Sequence, residues 1–390
     1  MFKQFRCAVT TTLVLALAAS PSTTFAQERD TTIADVQTSL NETVTAERTV
    51  PGLLVTVERD GEAAWSFATG GRTLGMRNAL PDDEFRIASL TKTLLAAALI
   101  RLVEDGRLQL NQPIAQYLTD TTREQLNEGG LNTRAITISH LLTHASGLND
   151  HASSPAFLQR LAVDPAHRWT RQEQLALALA NPPLGPPGGV RRYSDTGYVI
   201  LGEILEQVTG ETLAISVPRL LEFPALGLTH SYWETAQDDA LAIVPANRVH
   251  AYQDGTDTAA LNPSFDLFGG GGLVSTTRDV ARFYAALFGG RVFKTERGMT
   301  LMLSGRETVG DDFGQRYAYG IYRLPGTGEA ECWGHPGHWG LLAGSCGTTK
   351  GRVAFAISIN AAGTRADAVL NSVTLELLGT ILAADGQTGT

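Results

Sequence analysis

A serine and a lysine stand three residues apart in Phe85-Arg86-Ile87-Ala88-Ser89-Leu90-Thr91-Lys92-Thr93, just before the apolar segment Leu94 to Val103. On a helix, positions i and i+3 share a face with about 5–6 Å between their β-carbons, so the Lys92 amine reaches the Ser89 hydroxyl. A serine is a weak nucleophile until a neighbouring base takes its proton, and a lysine in apolar surroundings holds its own proton less tightly. Only four of the 31 Lys and Arg residues are lysines, so this chain, which otherwise prefers arginine, here uses the side chain that can be deprotonated. The pair reads as a nucleophile with its activator. The alternative is a helix start that happens to carry this spacing.

Two further stretches carry chemistry. Arg191-Arg192-Tyr193-Ser194-Asp195-Thr196-Gly197-Tyr198 opens a helix with Leu201, Ile204, Leu205 and Val208 on one face and a stop at Gly210. Trp333-Gly334-His335-Pro336-Gly337-His338-Trp339-Gly340 lies at the end of a strand. A phenol such as Tyr193, hydrogen-bonded to an ammonium, relays a proton from Ser89 to a leaving group, and an edge-strand N–H holds a developing oxyanion. Asp195 has two open readings, as the cap of its helix or as a group that orients the site, because aspartate is a favoured N-cap.

Other pairings are weaker. His140 and His144 have metal-ligand spacing, but Leu141 follows the first histidine where a zinc hydrolase carries glutamate, so hydrogen-bonded structural histidines are the better account. His335 and His338 form another pair without a clear carboxylate partner. Gly269 to Gly272 lacks the lysine and the strand-to-helix context of a phosphate loop.

The elements that position these residues follow from periodicity. Ile33, Val36, Leu40 and Val44 predict an amphipathic helix over 31–46, and Asp60-Gly61 between Leu53–Arg59 and Glu62–Gly70 predicts a hairpin. The serine helix ends at Glu104-Asp105-Gly106, and residues 108–265 read as helical and loop-rich. A helix at Thr277 to Phe288 follows, then strands at Tyr317–Arg323, Ala330–His335, Leu341–Thr348 and Arg352–Asn360. A last helix carries Val369, Leu370, Val373, Leu377, Leu378, Ile381 and Leu382, and the tail from Asp385 is expected to be disordered. The first and last segments thus supply an antiparallel sheet covered by terminal helices, over 27–107 and 266–384, and residues 108–265 a helical lobe. Active sites favour the seam between such lobes.

Lys3 and Arg6, the apolar run Ala8–Ala19 and Thr24-Phe25-Ala26 read as a secretory leader over residues 1–26, with the run too short to span a bilayer. Its removal would take the net charge from −9 to −11, which disfavours nucleic acid and anionic membranes as partners. The expectation is a secreted or periplasmic chain with no stable membrane anchor, a small-molecule or peptide substrate, and an oligomeric state left open. Export permits a disulfide between Cys332 and Cys346, 14 residues apart on neighbouring antiparallel strands; two buried free thiols are the alternative.

The chain resembles the serine hydrolases of the beta-lactamase-like fold, which include D-alanyl-D-alanine carboxypeptidases, class C beta-lactamases, and related esterases and D-aminopeptidases. Ser89-x-x-Lys92 is similar to the first motif of that family, Tyr193-Ser194-Asp195 to its Tyr-x-Asn motif, and His335-Pro336-Gly337 to its Lys-Thr-Gly or His-x-Gly motif. Residues 138–148 and 271–279 are similar to its non-catalytic signatures. The resemblance implies an α+β beta-lactamase/transpeptidase-like fold, a single catalytic domain over 27–390, a serine acyl-enzyme, and no metal or organic cofactor. It assigns Ser89, Lys92, Tyr193, Asp195 and His335 to catalysis, and Ser89, Gly337 and His338 to the oxyanion hole and substrate binding. Two departures stand out. Asp195 replaces an amide donor by a carboxylate, which removes a contact to a substrate carbonyl or else pairs with Lys92. His335 replaces a lysine, and can donate a hydrogen bond and be cationic in mild acid. The implied activity is hydrolysis of D-amino-acid peptides, beta-lactams or small esters, most like a D,D-carboxypeptidase or esterase. The alternative is a penicillin-binding sensor or scaffold that acylates without turnover.

Overall fold

Leu53, Leu54, Val55 and Val57 are all buried, so the strand Gly52–Arg59 must be covered on both faces. On one face Leu53, Val55 and Val57 join Val36, Leu40 and Val44 of the helix Ile33–Ala46, and Val369, Leu370, Val373 and Leu377 of the helix Thr364–Gly386. On the other, Leu54 enters a second core and the Thr56 hydroxyl lies 2.9 Å from that of Thr277, which opens the helix Thr277–Phe288. The result is a sheet layered between helices. The computed structural model describes residues 33–47, 49–59, 62–236, 238–304, 317–324, 331–348 and 353–386. The expected leader and the Asp60-Gly61 turn lie outside the described residues.

In the order Glu62–Gly70, Gly52–Arg59, Val353–Ile359, Leu342–Thr348, Cys332–Gly334 and Tyr322–Leu324, every neighbouring pair is antiparallel. The short strand Gly337–His338 pairs with Leu342–Thr348 off this path. The expected hairpin is present, with Val55 opposite Phe67 on one side and Ile357 on the other. The expected strand at Tyr317–Arg323 is shorter: Tyr317 makes only an isolated bridge to Tyr322, and the strand is Tyr322–Leu324. The last helix runs through Gly386, two residues into the tail expected to be disordered, and residues 387–390 lie outside the description. Cys332 and Cys346 are disulfide-bonded, with Cα atoms 5.8 Å apart, inside the range this bond requires.

The second core is built around the helix Thr91–Glu104, in which every residue from Thr91 to Leu102 is buried. Ile200, Leu201 and Ile204 of the helix Asp195–Thr209, Leu141 and Leu142 of the helix Ile138–Leu142, and Val217 of the helix Leu213–Leu220 belong to the same core. Ala96, Ala97 and Ala98 are fully buried in it, and the Ala96 methyl lies against Gly320. Among the described residues no helix is long and apolar enough to cross a membrane.

A small sheet that periodicity did not reveal locks this helix to the rest. Leu273–Ser275 pairs with both Phe85–Arg86 and Tyr232–Trp233, and Ile87 N–H donates to Leu273 O at 3.0 Å. Strands of two or three residues are too short to show a period of two. This pairing brings the Gly269–Gly272 loop beside Lys92. Because Leu99 is fully buried in the helix at the centre of the second core, Leu99→Ala should destabilise the fold by about 2–5 kcal/mol. Denaturant unfolding of the two proteins measures it; a change below about 1 kcal/mol would contradict the central role of this helix.

Candidate active site

Ser89 sits in the 3-10 turn Ala88–Leu90, one turn ahead of the helix that carries Lys92. A serine at a helix start usually caps it, yet neither this turn nor the helix has a side-chain cap, which leaves the hydroxyl available. Ala88, just before it, has a left-handed backbone with φ of 49°, a conformation that costs an alanine about 1 kcal/mol. Ser89 is partly exposed, while Lys92 is 0 % exposed, so the hydroxyl faces the cleft and the amine stands behind it.

The Lys92 amine donates to Ser89 Oγ at 2.9 Å, to Gly270 O at 2.6 Å, and to Asp195 Oδ1 in a direct ion pair. Three N–H groups meet three acceptors, so the ammonium is satisfied although no water reaches it. Of the two readings of Asp195, pairing with Lys92 is present. Capping falls to Ser194, whose hydroxyl accepts from Gly197 N–H at 3.2 Å. Asp195 thus occupies the first turn with its side chain turned inward.

Two further carboxyls surround this pair, and neither stood out in the sequence. Asp150 Oδ1 accepts from Asp195 N–H at 2.9 Å, and burial, followed by the Asp195 charge, pushes its carboxyl up to about 7. Asp266 lies against the glycine loop, where a β-carbon on Gly271 would fall 1.8 Å from Asp266 Oδ2. Burial and then Asp195 push it up to about 8. Gly271 has no side chain because this carboxyl fills the space, while Gly269 lies against Tyr198 O and Gly272 against the Trp233 indole.

Tyr193 stands over the pair, its ring centroid 5.1 Å from Lys92 Nζ. Burial and then the Asp195 charge raise the phenol well above its ordinary value, and a hydrogen bond with the Ser89 side chain partly offsets this. His144 holds the ring from beneath: it has φ of 56°, its centroid is 4.4 Å from that of Tyr193, and its Nδ1 accepts from Ser194 N–H at 3.2 Å. Arg191 donates to Thr143 O at 3.0 Å and to Tyr317 O at 2.7 Å, bracing the same loop. His140 belongs to a capping box with Thr137, accepting its N–H on Nδ1 at 3.2 Å. Both histidines therefore have structural duties.

His335 departs from expectation. Its Nδ1 lies 2.6 Å from Pro336 O and so carries the proton, which leaves Nε2 to accept from the Tyr317 hydroxyl at 3.4 Å. Burial, and then the charge of Lys92, lower it to about 3, so it is neutral in mild acid rather than cationic. It orients Tyr317, which in turn meets the Tyr198 hydroxyl at 3.3 Å.

Gly337 and His338 form the short strand whose far side presses on the serine turn. A β-carbon on Gly337 would lie 2.5 Å from Ile87 O and 2.8 Å from Leu90 Cδ1. The backbone of His338 is thereby brought to the Ser89 turn, while its imidazole points outward to Gln253 at 3.3 Å. Serine, buried lysine, tyrosine and edge strand thus meet in a seam between an antiparallel sheet and a helical layer, an arrangement of the α+β beta-lactamase/transpeptidase-like class of fold.

Residues 36–378 match the family model described as beta-lactamase, and the chain belongs to that family. Esterase EstB of Burkholderia gladioli is 34 % identical over 205 residues, covering 50 % of each chain. The D-alanyl-D-alanine-carboxypeptidase/endopeptidase AmpH of Escherichia coli (strain K12) is 26 % identical over 220 residues, covering 56 % of this chain and 52 % of that one. The chain spans about half the length of the curated relatives it matches. A D-stereospecific amidohydrolase from Streptomyces sp. has a similar structure, with a TM-score of 0.72 and 27 % identity over 84 % of this chain and 94 % of that one.

The raised Asp266 carboxyl has a consequence for stability. Between the ordinary carboxyl range and about 8 the folded protein keeps a proton that the unfolded chain releases, so stability falls as pH rises through that window. Asp266→Asn removes this dependence. Its melting temperature relative to wild type should therefore increase steadily from pH 4 to pH 8; a difference independent of pH would contradict the assignment.

Proposed function

We propose that the chain is a serine hydrolase that forms and then hydrolyses an acyl-enzyme on small neutral esters and amides. The observation that carries this reading is the shared Lys92 amine, held at once by the Ser89 hydroxyl, the Asp195 carboxylate and Gly270 O. Transfer of one ammonium proton to Asp195, followed by rotation of the amine about its Cε–Nζ bond, turns the freed lone pair towards Ser89, whose O–H then donates to it. As Ser89 Oγ bonds to the substrate carbonyl carbon, its proton passes to Lys92 and the carbonyl electrons become an oxyanion. The backbone N–H groups of Ser89 and His338 receive that oxyanion, with Gly337 keeping the two elements in contact. Collapse expels the leaving group, which takes a proton from the Tyr193 phenol as the phenol is resupplied from Lys92. Water then repeats the sequence on the acyl-enzyme.

The neutral state of His335 bears on the substrate. A cation at this position would attract a substrate carboxylate; a buried imidazole lowered to about 3 offers none. This favours esters and amides without an adjacent carboxylate over carboxyl-bearing peptides and penicillins, and it agrees with the likeness to an esterase. The likeness to a D-stereospecific amidohydrolase supports D-amino-acid amides as a second substrate class. We further propose that residues 1–26 are an export leader, in keeping with the Cys332–Cys346 disulfide. Mass spectrometry of the exported protein should find Gln27 as its first residue; an intact Met1 would contradict the leader.

Incubation with a chromogenic ester and with a fluorescent penicillin tests the chemistry. Ester turnover should fall about 10³-fold or more in Ser89→Ala. Labelling by the penicillin at one equivalent without ester turnover would instead identify a sensor, and full activity of Ser89→Ala would end the serine mechanism. Lys92→Arg keeps the charge but loses the base, so its kcat should drop by about 10²-fold or more. An unchanged rate would show that Lys92 takes no proton.

A further inference from the structure

The seam has two unlike flanks. On one, Tyr193 packs beside Tyr317 and Tyr322, and this is the side from which the phenol reaches a leaving group. On the other stands Trp339, the residue after His338. Its ring meets Phe265 edge-on at 5.0 Å and Phe157 at 6.0 Å, so it crosses from the sheet to the helical side. Phe265 ends the 3-10 turn that leads through Asp266 into the glycine loop holding Lys92. Phe157 lies edge-on to His151 at 5.1 Å, and both the backbone N–H and Nδ1 of His151 meet the hydroxyl of Thr196, the neighbour of Asp195. The aromatic group is thus tied to the backbone segments that hold Ser89, Lys92 and Asp195. Phe157 and Phe265 are buried, whereas Trp339 keeps part of its surface open.

Resting on the serine mechanism proposed above, we infer that Trp339, backed by Phe265 and Phe157, is the wall of the acyl-group subsite and selects substrates with aryl or bulky apolar acyl groups. The oxyanion donors fix the carbonyl oxygen, and Tyr193 claims the leaving-group side. The remaining substituent of the carbonyl carbon is then directed past His338 along the chain, onto the open face of Trp339. An indole supplies a large rigid apolar surface at low entropic cost, suited to a flat or branched acyl group.

Two esters with a common leaving group, 4-nitrophenyl phenylacetate and 4-nitrophenyl acetate, separate acyl recognition from everything else. Wild type should prefer the phenylacetate in kcat/KM. Trp339→Ala should lower kcat/KM for the phenylacetate about five- to tenfold, as for loss of one aromatic contact. The acetate should change by less than about twofold, and Trp339→Phe should retain most of the preference. Equal losses on both esters in a variant with unchanged melting temperature would overturn the inference, because the wall would then serve the leaving group or merely support the His338 strand. Undiminished preference in Trp339→Ala would overturn it equally. Hydrolysis of both esters by Ser89→Ala would instead overturn the serine mechanism on which the inference rests.

Discussion

The structure depends on a single buried ammonium. Lys92 is removed from water, and a charge so placed is tolerated only when paired and fully hydrogen-bonded; loss of one partner of such a pair costs about 3–5 kcal/mol. Its three protons have three acceptors, from three distant parts of the chain: the serine turn, the first turn of the helix Asp195–Thr209, and the glycine loop. The seam is where the folded sheet and the helical layer are required to bring those acceptors together. The chemistry of the site is therefore also a condition of its assembly.

Charge balance around the pair follows from burial. Three carboxyls, Asp150, Asp195 and Asp266, lie near one ammonium, which can neutralise only one of them. Burial and mutual repulsion raise Asp150 and Asp266, and Asp195, in direct contact with Lys92, takes the role of partner. The same field works against cations. His335 and His144 are both lowered by burial first and by Lys92 second, so they act as hydrogen-bonding groups without charge. A neutral imidazole can accept from Tyr317 and stack beneath Tyr193, which is what positioning the phenol requires.

Backbone detail delivers the nucleophile. Ser194 caps its helix and so frees Asp195 to turn inward, whereas Ser89 caps nothing and so remains free to react. Gly337 lets the edge strand rest on the serine turn with no side chain between them. Small local choices of this kind decide whether a hydroxyl is a structural cap or a nucleophile.

Much of this was legible in order along the chain. The spacing of Ser89 and Lys92, the apolar run behind them, the hairpin, the helix Thr277–Phe288 and the terminal helices all arise from local periodicity, which reports on burial of one face and needs no knowledge of the partner. Tyr193, Asp195 and His335 were legible as residues through motif resemblance, but their states were not. Whether Asp195 capped or paired, and whether His335 was charged, depended on what packed against them from 100 or more positions away in the case of Asp195 and Lys92. Asp150 and Asp266 gave no signal, since an acidic residue in a loop looks solvated until the fold covers it. Sequence by itself determined which chemical groups were present and which faces had to be buried. Only the tertiary structure decided their protonation, because desolvation and nearby charge are properties of the neighbours that folding brings together.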